Sequence, residues 1–276
     1  MEMQSLNKMF AESIVKHWDM NSMSDYGDYT YQYKDVARVI EKMHILFEHA
    51  GIQKGDKIAL CGRNSAHWAV AFLATLTYGA VAVPILHEFK PDNIHHIVSH
   101  SEARLFFAGD QIWENLEEES MPGLDGVIVL DRMEVVFSRK EALSNAGGNL
   151  DALFDERYPQ GVTKAQVSYP DCNPENLCMI NYTSGSTGFS KGVMLPYRSI
   201  LNNRVFSSKA LYSFQAGYRV VPMLPMAHMY GMAFEFIYEF LIGMHIYYLN
   251  RTPSPAIIAQ AFSEVKPNVI IAVPLV

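Results

Sequence analysis

The feature that most constrains the fold is an uncharged run of 19 residues from Trp68 to Leu86. Its length approaches that of a membrane-spanning helix. The run is interrupted by Gly79 and Pro84, however, and residues 81–83 have the composition of a short buried strand. We therefore predict a buried helix over residues 65–78, a stop at Gly79 and a parallel strand after it, with no membrane span.

Predicted strands and helices alternate around this run. An amphipathic helix is predicted from Tyr31 to His49, because its apolar residues recur on one helical face, and Gly51 ends it. Further elements are predicted as strands at Lys57–Leu60, Val81–Ile85, Arg104–Phe107 and Leu177–Ile180, and as a helix from Lys90 to His100. Such alternation predicts an α/β fold with mostly parallel sheets flanked by helices.

The regularity of the pattern divides the chain into three parts. We predict a first α/β subdomain over residues 1–110 and a second over residues 176–276. Between them, residues 111–175 are predicted to be a loosely structured connection around one short strand, Val127–Leu130.

Charge and cysteine usage limit the classes of function. The net charge of −7 and the pI near 5.8 argue against nucleic-acid binding, which normally needs a basic face. The three cysteines include no CxxC pair, and the charged N-terminus is not a signal peptide. These features predict a cytoplasmic protein, for which peripheral membrane contact stays open.

The most informative segment is TSGSTGFSKG, residues 183–192, directly after a predicted strand. A triphosphate needs short donors, a backbone that curls around oxygens, and a cation. The hydroxyls provide the donors, Gly185, Gly188 and Gly192 the flexible backbone, and Lys191 the cation. The segment is therefore predicted to bind phosphate.

Other interpretations of this segment fit less well. A Walker loop would have Gly at position 190 and Ser or Thr at position 192, where this chain has Ser190 and Gly192. No GxGxxG motif follows a predicted strand, so a Rossmann dinucleotide site is not supported. A flexible Ser/Gly linker would rarely be flanked on both sides by apolar strands.

The segment YTSGSTGFSKGVML resembles the signature loop of the adenylate-forming superfamily, and the chain is most similar to the N-terminal part of a long-chain fatty acyl-CoA synthetase. The resemblance implies that the loop holds the β- and γ-phosphates of ATP and that Thr183 contacts Mg²⁺. The matching residues are Thr183, Ser184, Gly185, Ser186, Thr187, Gly188 and Lys191. The family usually has Pro where Ser190 stands and often His where Tyr197 stands, so any role of position 197 is in doubt.

Weaker matches extend the resemblance over most of the chain. They occur, in the family's order, at Thr30–Tyr31, Gly51–Ile52, Gly55–Asp56, Asn64, Trp68, Phe72–Ala74, Gly79–Val81 and Val83–Pro84. They imply the N-terminal lobe of the adenylate-forming fold, here truncated.

A second motif, LPMAHMYGM, resembles the family segment beside the carboxylate substrate. By that resemblance His228, Met229, Tyr230 and Gly231 border the acyl group. The alternative is that His228 only caps the next helix. Residues 232–242 are apolar nearly all round, which predicts a buried helix that packs in the core or lines an acyl tunnel. His95, His96 and His100 are predicted to form a solvated helix face, because no further ligand completes a metal site.

The resemblance implies a reaction in two halves. A carboxylate attacks the α-phosphorus of ATP to give acyl-AMP, and coenzyme A then displaces AMP. The implied cofactors are ATP, Mg²⁺ and coenzyme A. The family's magnesium-binding glutamate, ribose-binding aspartate and adenylating lysine do not occur here, so the catalytic residues stay unknown and the chain alone is predicted to be inactive. Adenylation of an amino or aryl acid, and a non-catalytic nucleotide-binding module, remain alternatives.

Overall fold

The computed structural model describes residues 4–183, 190–251 and 253–272, which form two β-sheets with helices between and outside them. The strands are β1 Asn21–Asp25, β2 Thr30–Gln32, β3 Lys57–Cys61, β4 Val81–Ile85, β5 Ala103–Ala108, β6 Gly126–Val129, β7 Glu134–Ser138, β8 Leu177–Thr183, β9 Lys191–Pro196, β10 Arg219–Val220 and β11 His245–Tyr248. The α-helices are α1 Leu6–Lys16, α2 Tyr33–Ala50, α3 Ala66–Tyr78, α4 Pro91–His100, α5 Asp110–Trp113, α6 Glu141–Gly148, α7 Leu150–Arg157, α8 Tyr197–Ala210, α9 Met229–Met232, α10 Tyr238–Ile242 and α11 Pro255–Val265. A π-helical stretch, Ala233–Ile237, joins α9 to α10.

The larger sheet has the strand order β7-β6-β5-β3-β4-β8-β9. Its inner strands pair in parallel, and the edge strands β7 and β9 are antiparallel to their neighbours. The smaller sheet has the order β10-β11-β1-β2, in which β1 pairs in parallel with β11, Met23 opposite Ile246. The predicted α/β class with mostly parallel sheets is confirmed. The division of the chain at residues 110 and 175 stays a prediction.

The two faces of the larger sheet are covered by different helices. Alternate residues such as Ile58, Leu60 and Phe107 pack with α1, α2 and α3 in one core, which also includes Ile246 of the smaller sheet. The opposite face packs against α4, and α11 covers the outer face of the smaller sheet. The result is a layered structure in which α1–α3 lie between the sheets, as expected for parallel strands that are buried on both faces.

The helix boundaries follow the local signals. α2 and α3 end at Gly51 and Gly79, whose φ angles of 69° and 88° lie in the left-handed region that glycine adopts without strain. Ser65 caps α3 by accepting a 3.1 Å hydrogen bond from the Trp68 N–H. Within the described ranges, no helix is long and apolar enough to cross a membrane.

Residues 111–175 contain more regular secondary structure than the one strand that the sequence pattern predicts. This segment holds a second strand, β7, and the helices α6 and α7, besides the predicted strand at β6. α6 and α7 pack on α2, and Arg157 forms a 2.6 Å ion pair with Glu48. Each helix has only eight residues, too few to be stable in isolation, so tertiary contacts stabilise both.

The helical segment 232–242 is largely buried, as predicted, and it contains two carboxyl groups that contact the core. Glu235 and Glu239 are both 0% exposed. Burial raises the pKa of Glu235 to about 7 and the pKa of Glu239 well above its ordinary value. Both Glu239 oxygens lack a hydrogen-bond partner among the described residues, so nothing offsets the desolvation that disfavours the charged carboxylate.

Candidate functional site

The predicted phosphate loop connects β8 to β9 in a hairpin at the edge of the larger sheet. Thr183, the last residue of β8, lies directly opposite Lys191, the first residue of β9. Opposed residues of antiparallel strands project to the same face, so the Thr183 hydroxyl and the Lys191 ammonium leave the sheet together. Both residues are exposed. The other predicted residues, Ser184, Gly185, Ser186, Thr187 and Gly188, lie outside the described residues.

Gly192 has a different role from the one predicted. It lies within β9 opposite Tyr182, and a Cβ atom there would be 2.8 Å from Ile180 Cγ2 and 3.1 Å from Tyr182 Cζ. The residue is therefore small because the tyrosine ring lies across it. The Tyr182 hydroxyl also forms a 2.7 Å hydrogen bond with His100 Nδ1, which links β8 to α4. His100 thus has a protein partner on a helix face that was predicted to be only solvated.

Tyr197, where the family often has histidine, is a structural residue. It is buried at the start of α8, and its hydroxyl donates a 3.2 Å hydrogen bond to the Leu76 carbonyl at the end of α3. Burial raises the pKa of Tyr197 above its ordinary value. The side chain therefore anchors α8 against α3.

His228 caps α9, as the structural alternative proposed. The Tyr230 N–H donates a 3.3 Å hydrogen bond to His228 Nδ1. A neutral imidazole whose Nδ1 accepts a hydrogen bond carries its proton on Nε2. The side chain is exposed, so this N–H can meet an acceptor from outside. Capping and ligand binding are therefore compatible for this residue.

The loop that precedes His228 is joined directly to the strand that enters the phosphate loop. Asn181 of β8, which is buried, donates a 2.9 Å hydrogen bond from Nδ2 to the Ala227 carbonyl. Thr183 lies two residues beyond Asn181, and His228 follows Ala227. The structure thus brings the two predicted motifs together, although they are separated by about 40 residues of chain.

Two further residues hold the same loop. Glu235 accepts hydrogen bonds from the N–H groups of Met223 and Leu224 at 3.2 and 2.9 Å. Gly231 packs so closely under the loop that a Cβ atom would be 2.6 Å from the Pro225 carbonyl oxygen. At the predicted site, Gly231 therefore packs against the backbone of this loop.

An aromatic surface lies next to His228. The Tyr230 and Phe234 rings are 4.9 Å apart, and Phe206 of α8 lies 6.1 Å from Phe234. Phe206 is 60% exposed and Tyr230 is 42% exposed. Met232, Phe236 and Phe240 are fully buried, so these residues pack in the core, which is the first of the two alternatives given for this helix.

The described residues do not form a complete ligand set for a metal ion. No group of three or more His, Cys, Asp or Glu side chains in ranges 4–183, 190–251 and 253–272 could hold one. Mg²⁺ in nucleotide sites keeps several waters and is held largely by phosphate oxygens. The exposed Thr183 hydroxyl fits a single-ligand role beside such phosphates.

Solved structures of other proteins share this fold. The described fold resembles a natural red-emitting luciferase from Phrixothrix hirtus, with a TM-score of 0.83 and 17% identity, over 98% of this chain and 51% of that one. It also resembles ATP-bound MatB from Rhodopseudomonas palustris, with a TM-score of 0.75 and 18% identity, over 96% of this chain and 49% of that one. The fold is that of the N-terminal domains of adenylate-forming enzymes.

The sequence matches the model of one family, AMP-binding enzyme, over residues 10–276. The chain therefore belongs to the AMP-binding enzyme family. Among its curated relatives is long chain acyl-CoA synthetase 5 of Arabidopsis thaliana, 26% identical over 272 residues, which cover 91% of this chain and 38% of the relative. The chain thus spans less than half the length of that relative.

Proposed function

We propose that this chain carries the ATP-phosphate and acid-binding parts of an enzyme that activates a fatty acid to acyl-AMP and then to acyl-CoA. The observation that supports the proposal most is the 2.9 Å hydrogen bond between Asn181 and the Ala227 carbonyl. It fixes the strand that enters the phosphate loop beside the loop that carries His228. ATP bound at the phosphate loop and an acid bound at His228 would therefore lie next to each other.

The chemistry brings two anions together, so positioning and charge neutralisation must provide most of the rate. The Lys191 ammonium would offset charge on the β- and γ-phosphates, and the Thr183 hydroxyl would bind beside it. Mg²⁺, when bound, supplies further charge neutralisation on the phosphates. The His228 Nε2–H would donate to the carboxylate and orient it toward the α-phosphorus.

The aromatic surface supports an apolar acid. Tyr230, Phe234 and Phe206 form this surface next to His228. An amino acid substrate would place an ammonium group here, where rings offer weaker compensation than a carboxylate. An aryl acid is the second candidate, because an aromatic surface can also pack against a planar substrate. A nucleotide-binding module without an acid substrate would have no need of the His228 loop.

The proposal includes coenzyme A as the acyl acceptor and a cytoplasmic location. Three free, buried cysteines support a reducing compartment.

Replacing His228 with alanine should weaken binding of the acid more than binding of ATP. One hydrogen bond to a charged group is worth about 1.5–3 kcal/mol, so the affinity for a non-hydrolysable fatty-acyl sulfamoyl adenosine should fall roughly 10-fold or more. ATP affinity should change less than about 2-fold. Calorimetric titration of both ligands checks this, with the exposed His49→Ala as the control. Equal losses for the two ligands would show that His228 does not face the acid.

A further inference from the structure

Asn64 connects the turn after β3 of the larger sheet to the loop that carries His228. Its Nδ2 donates a 2.7 Å hydrogen bond to the Leu224 carbonyl, and its Oδ1 accepts a 2.8 Å hydrogen bond from the Met226 N–H. Leu224 and Met226 lie 160 and 162 residues after Asn64 in the sequence. One carboxamide thus holds the backbone on both sides of Pro225, as a partner strand would.

The Asn64 carboxamide projects from a rigid part of the fold. Asn64 directly precedes Ser65, the N-cap of α3. The Ala66 N–H also donates a 2.8 Å hydrogen bond to Asp25 Oδ1 at the end of β1. The turn is therefore tied to both sheets before it reaches the loop.

The loop is held from two other directions as well. Glu235 binds the N–H groups of Met223 and Leu224, and Asn181 binds the Ala227 carbonyl. Of these three side chains, Asn64 alone binds the loop through both a donor and an acceptor. Neither aspartate nor leucine, its close analogues in shape, can provide both.

We propose, on the basis of the function proposed above, that Asn64 is a positioning residue that sets the placement of His228 for the acid substrate. Without its two hydrogen bonds, residues 224–226 lose their fixed distance from the β3–α3 turn. His228, two residues further on, then samples several positions. Binding of the carboxylate by His228 therefore depends on the turn that follows β3 in the larger sheet.

The test uses the 276-residue chain with Asn64→Ala and the milder Asn64→Asp, which keeps the acceptor for Met226. The matched control is Asn149→Ala, which removes a local hydrogen bond to the Asn145 carbonyl on an exposed helix end. Three quantities are measured for each: amide hydrogen exchange at Met226, affinity for fatty-acyl sulfamoyl adenosine, and affinity for ATP. Circular dichroism verifies that each variant is folded.

For Asn64→Ala, exchange at Met226 should rise at least about 10-fold, and affinity for the acyl analogue should fall about 10-fold with ATP affinity nearly unchanged. Asn64→Asp should lie between the wild type and Asn64→Ala, and the control should match the wild type. Faster exchange with unaltered affinity for the acyl analogue would overturn the positioning role. Equal losses for ATP and the analogue would also overturn it, in favour of general destabilisation. A wild-type chain that binds ATP but no acyl analogue would refute the proposed acid site itself, and Asn64 would lose its role with it.

Discussion

Replacing Lys191 with alanine should weaken ATP binding by roughly 10- to 100-fold, because a charge-assisted hydrogen bond contributes about 1.5–3 kcal/mol. The reason is its position opposite Thr183 at the base of the hairpin, where the ammonium shares a face with the hydroxyl. AMP lacks the β- and γ-phosphates, so its affinity should change far less. Calorimetric titration with both nucleotides measures the difference.

Two controls make this result specific. Lys164→Ala removes an exposed lysine from a short helical turn outside the hairpin and should leave both affinities unchanged. Lys191→Arg keeps the charge and should retain most of the ATP affinity. If Lys191→Ala weakens AMP and ATP equally, or neither, the lysine does not bind the terminal phosphates.

The second large effect concerns stability. The pKa of Glu239 is raised by burial, so its contribution to stability is fully present below the unfolded pKa of about 4.5 and is lost as pH rises toward the folded pKa. The free energy of unfolding should therefore fall with pH by up to about 1.4 kcal/mol per unit. Glu235, whose pKa is about 7, adds a loss in the same direction between pH 4.5 and 7.

Urea unfolding of the chain from pH 5 to pH 8 checks this. Glu239→Gln removes the titration and should flatten the slope, leaving the part due to Glu235, and should make the variant more stable than the wild type at pH 8. The exposed Glu156→Gln serves as the control. A variant that keeps the wild-type slope would show that Glu239 is not the titrating group.

Much of the fold could be predicted because its strongest elements have local causes. The 65–78 helix has no charge and ends at a glycine, and the flanking strands are apolar and bounded by turns, so each was predicted close to its observed limits. β7, α6 and α7 were missed because their stability depends on contacts with β6 and α2. The pairing of β1 with β11 is a long-range contact that periodicity does not encode.

The site shows the same difference. The two motifs and their residues were recognisable in the sequence. The roles of Asn64, Asn181 and Glu235 in holding the loop that carries His228 were not predicted. Their roles depend on hydrogen bonds that reach 46 residues for Asn181 and 160 for Asn64. A signal existed in Asn181, Glu235 and Glu239, polar residues within apolar runs, because a buried polar group normally needs a partner or a raised pKa.

The most direct test of the proposed function is carboxylate-dependent exchange of labelled pyrophosphate with ATP. It is measured with a panel of fatty, aryl and amino acids, on the 276-residue chain and on a form extended by the C-terminal half that relatives carry. We expect exchange that requires a fatty acid in the extended form and no turnover above background in the chain alone, since several groups worth about 3 kcal/mol each would be missing. Sustained exchange by the chain alone, or exchange in the extended form that is independent of any carboxylic acid, would contradict the proposal.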